Sequence, residues 1–571
     1  MIMKKYILFA MTGLLMTSCI DTEVLPYNVT VGEDMWKTRE DVQQMVTGAY
    51  KAMVTHDAVS RMIVWGDFRS DEMTLNEDLT INNSTYDDLM EIHRGIMDDR
   101  NVFSDWAALY TVINRCNQVL EKAPGVMSID PKYTESTYNT DKSQMLALRA
   151  LAYFYLVRAF RDVPYNMEAF YNSSQNTDTP PLAPGDVLAR CIADLEEAAA
   201  TPISPMAYGE DDWRHAGLIN KDAINAILAD IYLWRGSMSQ NAGDYQKCAD
   251  YCKAVIDSKI EASANKGMTG GNMTTTSAYP LYEGASAYRN IFSEGNSLES
   301  ILELQMMSGT YNTAVLDLYY NYGGSAKKNY GFGYVCAPVN LFDETASSDG
   351  PSANAIYLSD KDYRRYKTVF NPTSASYADI SKIIYKAETG GGSSTEFVMR
   401  SYYDYSNFAR NWIVYRLTDV MLMKAEALVA MASGDDDERL DEAFELVKAV
   451  NDRSLSDATV SIKKPSTLTE MEYLVLGERQ RELCYEGKRW FDLMRFNYRH
   501  ASSPSDIDKL MTEATPVETY SGMTSYLTRD PGASAVQNKY MTKKEFFLYL
   551  PVYYDELNSN RNLVQNPIYA K

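Results

Sequence analysis

Apolar residues recur at helical spacing up to about Lys259 and again from Trp412 onward, and the stretch between follows neither a helical nor an alternating period for long. The periodicity predicts helices over 38–54, 104–122, 143–160, 187–200, 221–235 and 245–258, and later over 412–432, 440–453 and 469–495. Asp162, Val163 and Pro164 read as a helix stop, because proline disfavours helical geometry in the residue before it. Between 260 and 411 the chain fills with Gly, Ser, Thr, Asn and Tyr; 268–279 and 390–394 read as loops and 300–304 as a short strand. The expected fold is mainly α: a helical scaffold over about 36–259 and 412–571 carrying a large, irregular, loop-rich insertion with short strands over about 260–411.

One helix pair is especially legible. Leu228, Ala229, Asp230, Ile231, Tyr232, Leu233, Trp234, Arg235 and Gly236 close a first helix, and a second resumes at Gly243 and runs through Tyr245, Cys248, Cys252 and Val255. This resembles a tetratricopeptide unit, in which two antiparallel helices pack through small residues and stacked neighbours complete the core. Cys248, Cys252 and Val255 then take inward positions. Residues 419–432 and 440–450 repeat the shape, with Gly434 in the turn and acids over 435–438 at the next helix start. Similarity is weak elsewhere, so the expectation is a tetratricopeptide-like scaffold with an insertion, not a pure solenoid.

The amino end adds an address. Lys4 and Lys5 precede an apolar run over 6–15 that is too short to span a bilayer, and Leu15, Met16, Thr17 and Ser18 lead to a single cysteine, Cys19. The pattern predicts a lipoprotein signal over 1–18, cleavage before Cys19 and a single domain over 19–571, with an ordinary secretory signal as the alternative. Acyl chains on Cys19 would tether the protein, each buried methylene contributing about 0.8 kcal/mol. The formal charge of -22, with no dense basic stripe, argues against nucleic acid as a partner.

Candidate chemistry is sparse. The six further cysteines, Cys116, Cys191, Cys248, Cys252, Cys336 and Cys484, are expected to be free buried thiols, since a chain this long needs no staples and Cys248 and Cys252 lie on one helix face. His56, His93, His215 and His500 stand at no ligand spacing from a cysteine pair, so no metal or other cofactor is expected. Hydrolase, phosphate-loop and dinucleotide motifs are absent. A pair of carboxylates for glycoside hydrolysis stays open among 77 acidic residues; Asp67, Asp71 and Glu72 are the best local candidates, with a solvated loop as the plainer reading.

Four segments resemble the SusD/RagB family of Bacteroidetes outer-membrane lipoproteins. They are WKTREDVQQMVTGAYKAM over 36–53, LRALAYFYLVRAFRDVP over 148–164, YRLTDVMLMKAEA over 415–427 with ERQRELCYEGKRWFDLMR over 478–495, and LPVYYDELNSNRNLVQNPIY over 550–569. Arg161 stands where the family commonly has glycine, and Val552 where it commonly has isoleucine. On 478–495, Glu478, Arg481, Glu482 and Tyr485 recur at helical spacing and read as structural ion pairs rather than a catalytic face; Arg416, Asp419 and Glu426 read likewise. The resemblance implies a non-catalytic binding protein at the cell surface, hinged over a SusC-like TonB-dependent transporter and delivering oligosaccharide to it. Peptide capture is the alternative within the family; a periplasmic tetratricopeptide scaffold and a surface glycoside hydrolase lie outside it. Asp21 and Glu23 are similar to the acidic export signal of such surface lipoproteins.

The resemblance also implies a ligand surface made of variable loops, among them the region before Trp106 and the middle insertion, so it transfers no ligand residue. Composition supplies the candidates. The chain has 43 tyrosines, with Tyr282, Tyr288, Tyr311, Tyr319, Tyr320, Tyr322, Tyr330, Phe332 and Tyr334 gathered among glycines in the middle. Flat rings suit the C–H face of a sugar, and nearby polar groups suit its hydroxyls. The expected ligand-binding residues are Trp65, Tyr86, Arg100, Tyr311, Tyr330, Phe332 and Tyr334.

Overall fold

The computed structural model describes residues 35–570 apart from 77–82, 173–174, 177, 210–211, 266–277, 307–310, 320–331, 339–355, 358, 371–376, 387–400, 403–407 and 501–547. The longer helices are α1 (Arg39–Met53), α2 (His56–Ile63), α3 (Ser84–Arg94), α4 (Ala107–Val126), α5 (Glu135–Phe160), α6 (Pro184–Ala198), α7 (Lys221–Ser239), α8 (Ala242–Asn265), α9 (Leu417–Met431), α10 (Arg439–Arg453), α11 (Leu468–Leu483) and α12 (Arg489–His500).

Local chemistry starts them. Thr38 and Asp41 form a reciprocal capping box at α1, Thr467 and Glu470 form another at α11, and the Asn220 side chain caps α7. Helix α5 is buried on every side from Ser143 to Phe160, which makes it a central rod. It packs on α4 and α6, α4 packs on α1, and α7 through α11 stack in sequence on one another. In the α7–α8 unit Tyr232 stacks on Tyr251 with centroids 5.8 Å apart, and a Cβ on Gly236 would stand 3.1 Å from the Tyr245 ring. Cys248, Cys252 and Val255 face inward, fully buried. The fold is the expected helical one with tetratricopeptide-like packing, and the six described cysteines are buried thiols with no disulfide between them.

Two expected helices are corrected. The 412–432 segment begins as a strand, because Trp-Ile-Val-Tyr-Arg is aromatic and β-branched and pairs, wholly buried, with Ser300–Leu304 before α9 starts at Leu417. The 469–495 segment is two helices, broken where Tyr485 and Gly487 take φ of +64° and +74°. Arg161 likewise ends α5 at φ +70°, a conformation that explains why glycine suits that position. In the middle region, β1 (Thr74–Leu75), β2 (Ser300–Leu304), β3 (Val335–Pro338), β4 (Val369–Phe370), β5 (Tyr377–Ile380) and β6 (Trp412–Arg416) form an antiparallel sheet of order β1-β3-β5-β4 and the separate β2–β6 pair.

The break between α11 and α12 lies inside a buried ionic network. Glu478 accepts from Arg364 at 2.6 Å and Arg481 at 2.8 Å; Glu482 is shared by Arg364 at 3.0 Å, Arg416 at 2.6 Å and Arg453. Glu486 takes Arg416 at 2.7 Å and Lys382 at 2.5 Å. Arg479 bridges Asp492 at 2.9 Å and Asp419 at 3.1 Å, and Arg495 joins Glu426 and Asp492, each at 2.7 Å. Burial alone would raise the Glu482 carboxyl, yet Arg453, Arg416 and Arg364 hold it well below the usual range; Glu426, Glu486 and Asp419 are lowered in the same way.

These depressed carboxyls set a sign. Their stabilisation is complete above the unfolded-state values of about 4 and is lost as pH falls through the lower folded values. E482Q takes one carboxylate from three buried arginines, of which Arg364 keeps Asp362 and Glu478, Arg416 keeps Glu486 and Arg453 keeps Glu299. It should cost about 3 kcal/mol while flattening the acid limb of the stability profile, and urea midpoints measured between pH 7 and pH 3 check both effects.

Candidate functional site

The chain entering β3 carries an aromatic step. Phe332 stacks on Tyr334 with centroids 4.8 Å apart and planes 16° from parallel, and Tyr86 lies 6.2 Å from Tyr334. Tyr334 is 3% exposed and Phe332 36%, so one ring supports and the other presents. The support is tied from several sides. Asn83 caps α3 by accepting from the Tyr86 amide at 2.9 Å, and its side-chain amide donates to the Tyr334 hydroxyl at 2.7 Å. Asn76 donates its backbone N–H to the Tyr334 carbonyl at 3.0 Å and its side-chain N–H to the Gly333 carbonyl at 3.0 Å. Gly333 has φ +58°, which sets Phe332 at its angle to the strand. The Tyr334 N–H donates to the Asp317 carbonyl at 3.1 Å, at the end of the short helix Thr313–Tyr319. Burial raises the Tyr334 phenol above its ordinary value, which keeps it a neutral hydrogen-bonding group.

Such a step offers an apolar ring face on a hydrogen-bonded support. It can receive the flat face of a ring or an extended chain.

The structure therefore brings Tyr86, Phe332 and Tyr334 together. Tyr311 is 38% exposed at the opposite end of the Thr313–Tyr319 helix, with no ring contact to Phe332 among the described residues. Arg100 is exposed and stacks on Tyr554 at 4.9 Å, so it belongs to the contact with the C-terminal tail. Trp65 is 1% exposed: it donates to the Phe103 carbonyl at 2.7 Å and meets Phe160 edge-on at 5.3 Å, the position of a core residue. Tyr330, Tyr320, Tyr322 and Cys19 lie outside the described residues. Tyr282, Tyr288 and Tyr319 are buried. Asn76 and Asn83 are functional supports that counting rings misses; Asn83 was findable as the cap before Ser84, whereas Asn76 gains its role from a partner more than 250 positions away.

Asp67, Asp71 and Glu72 are buried and do not form a solvated loop; burial, and then the neighbouring Asp67 and Asp71 charges, raise the Glu72 carboxyl well above its ordinary value. Asp67 accepts from the amides of Gly487 at 2.6 Å, Lys488 at 2.8 Å and Arg489 at 3.1 Å, so it caps α12 from a distant part of the chain. Asp71 pairs with Arg489 at 2.9 Å, and Glu72 accepts from the Tyr485 amide at 3.3 Å. All three are buried in structural contacts. Among the described residues, no cluster of three or more His, Cys, Asp or Glu is placed to hold a metal ion, and no helix is long and apolar enough to cross a membrane.

Comparison with known proteins now bears on the site. Residues 298–569 match the model of the SusD family, and residues 23–233 match a related model described as starch-binding associating with outer membrane. The chain belongs to the SusD/RagB family. SusD-like protein P2 of Formosa agariphila is 25% identical over 562 residues, covering 94% of this chain and 98% of its own length. Among solved structures, a SusD superfamily protein from Bacteroides thetaiotaomicron aligns at TM-score 0.61 and 22% identity, covering 94% of this chain and 99% of that one. Surface glycan-binding protein A from Bacteroides uniformis aligns at TM-score 0.63 and 19% identity, covering 93% and 99%. The solved structures share the fold. Within this SusD/RagB-family chain the 478–495 motif is the centre of the ionic network, and the aromatic step stands outside the four motifs.

One titratable pair borders the step. The His56 ring lies 3.2 Å from the Asp317 carboxylate, and that hydrogen bond raises the imidazole above its ordinary value against the opposing effect of burial. Its contribution is present below the unfolded value of about 6.5 and fades as pH rises through the higher folded value. NMR titration of His56 should find the raised midpoint, and D317N should return it toward the unperturbed one.

Proposed function

We propose that this protein is a non-catalytic, lipid-anchored lipoprotein on the outer surface of the outer membrane, which captures oligosaccharides and passes them to a SusC-like TonB-dependent transporter. The observation that carries this reading is the Phe332–Tyr334 step: an exposed ring on a hydrogen-bonded support, the feature a sugar's C–H face selects. Membership of the SusD/RagB family and the glycan-binding role in the name of the Bacteroides uniformis neighbour support the ligand class. The family description of starch binding at the outer membrane supports the location, and Cys19 supplies the anchor. The single domain over 19–571 then acts as one body, its helical stack holding the step while the transporter supplies the pore. A tethered binder beside a pore raises the local ligand concentration, so modest intrinsic affinity suffices.

The reading is tested by calorimetry of the full chain against maltohexaose, xylohexaose, mannohexaose and cellohexaose, with a tryptic digest of casein as the peptide alternative. At least one hexasaccharide should bind, and F332A should weaken that binding about ten-fold or more without moving the urea midpoint. Binding of casein peptides with no response to any glycan would overturn the ligand class in favour of peptide capture.

A further inference from the structure

On another part of the molecule a cleft of about 680 Å³ lies between α1, α5, Ile203, Tyr208, the 213–218 stretch and the end of β2. That volume falls within the roughly 300–1,000 Å³ of small-ligand sites. None of its lining residues belongs to the Phe332 step. Trp213 lines it and is 47% exposed, although tryptophan is ordinarily among the better-buried residues. The ring is positioned: a Cβ on Gly217 would come within 2.6 Å of both the Trp213 ring and the Gln305 side chain, so glycine there lets the two lie against the backbone.

The lining is polar in an organised way. Gln43 donates to Oδ2 of Asp141 at 2.8 Å, and the Tyr133 hydroxyl donates to the same oxygen at 3.1 Å. The Tyr50 hydroxyl donates to Gln144 at 3.0 Å while accepting from the Ile219 amide at 2.9 Å. Asp141 is 4% exposed; Gln43 and Tyr133 both donate to Oδ2, while Oδ1 is not shut off from solvent and is left as an acceptor on the lining of the cleft. Burial raises this carboxyl, against the lowering effect of the Gln43 and Tyr133 hydrogen bonds and of the Arg39 charge. A sugar hydroxyl is a donor of the right kind, amides satisfy its neighbours, and the indole receives the ring's apolar face.

We propose that this cleft is a second sugar-binding site, in which Trp213 stacks on one ring of a neutral oligosaccharide and Oδ1 of Asp141 accepts a hydrogen bond from one of its hydroxyls. The ligand class rests on the glycan-capture reading; the location rests on the cleft alone. Two separate sites would let one chain hold a long glycan at two points or retain a second molecule while the first is delivered.

The test is fluorine NMR of the full chain labelled with 5-fluorotryptophan, the Trp213 resonance being assigned by W213F, titrated with the same four hexasaccharides and the casein digest. At least one sugar should shift that resonance saturably in the wild type and equally in F332A. D141N should weaken the effect about ten-fold, with the ligand-free spectrum unchanged to show that the fold is intact. A sugar that binds calorimetrically and is lost in F332A but leaves Trp213 unmoved would overturn the second site while sparing the capture reading. Disappearance of the Trp213 shift in F332A would overturn its independence. A response to casein peptides alone would overturn the sugar class, and silence of both sites toward every sugar would sink both readings together.

Discussion

The charges buried on residues 478–495 tie together distant parts of the described chain. A carboxylate or guanidinium removed from water costs several kcal/mol unless it is paired, and this segment buries Glu478, Arg479, Arg481, Glu482, Glu486, Arg489, Asp492 and Arg495. Their partners are distributed widely: Asp71 from the N-terminal part, Arg364 and Lys382 from the insertion, Arg416, Asp419 and Glu426 around α9, and Arg453 from α10. A buried ion pair adds little net stability over a well-packed apolar pair, but breaking one is costly. The network therefore acts chiefly as a specification. Alternative packings of the helical stack would leave arginines without carboxylates, and that penalty selects one arrangement.

The same segment connects the scaffold to the aromatic step. Asp67 caps α12 through three amides, and the fit requires glycine twice: a Cβ on Gly66 would sit 2.0 Å from the Gly487 carbonyl oxygen, and Gly487 itself has positive φ. From Asp67 the chain runs through Asp71 and Glu72, both held by the α11–α12 region, and directly into β1. β1 pairs with β3, and β3 continues from Phe332 and Tyr334. The position of the exposed ring is thus inherited through a short chain of buried contacts from the ionic centre. Asp67, Asp71 and Glu72 hold that line.

The helical scaffold was legible because helix periodicity is local: Thr38, Thr467 and Asn220 mark starts, and the apolar spacing marks faces. It failed where long-range pairing competes with local pattern. Trp412 to Arg416 fits a helix face by period, yet its β-branched and aromatic side chains find Ser300–Leu304 across more than a hundred positions. The break at Tyr485 was hidden because a single glycine, Gly487, looks tolerable within a helix until Asp67 is known to bind its amide. For the site, composition pointed to aromatic residues of the middle region but carried no information on their exposure. Trp65 and Phe332 are both large apolar rings flanked by a glycine, and only packing makes one a core wedge and the other a platform.

That difference in exposure has an energetic consequence for binding. A ring that must be ordered by its ligand loses part of its interaction energy, about 0.5–1.5 kcal/mol for each immobilised side chain, whereas Phe332 is already seated on Tyr334. Tyr334 is in turn fixed by Asn83, Asn76 and Asp317. The ordering cost of this ring is thus met during folding, where the large core offsets it. A rigid step also restricts specificity to what a flat face can read, leaving finer discrimination to polar groups at its rim.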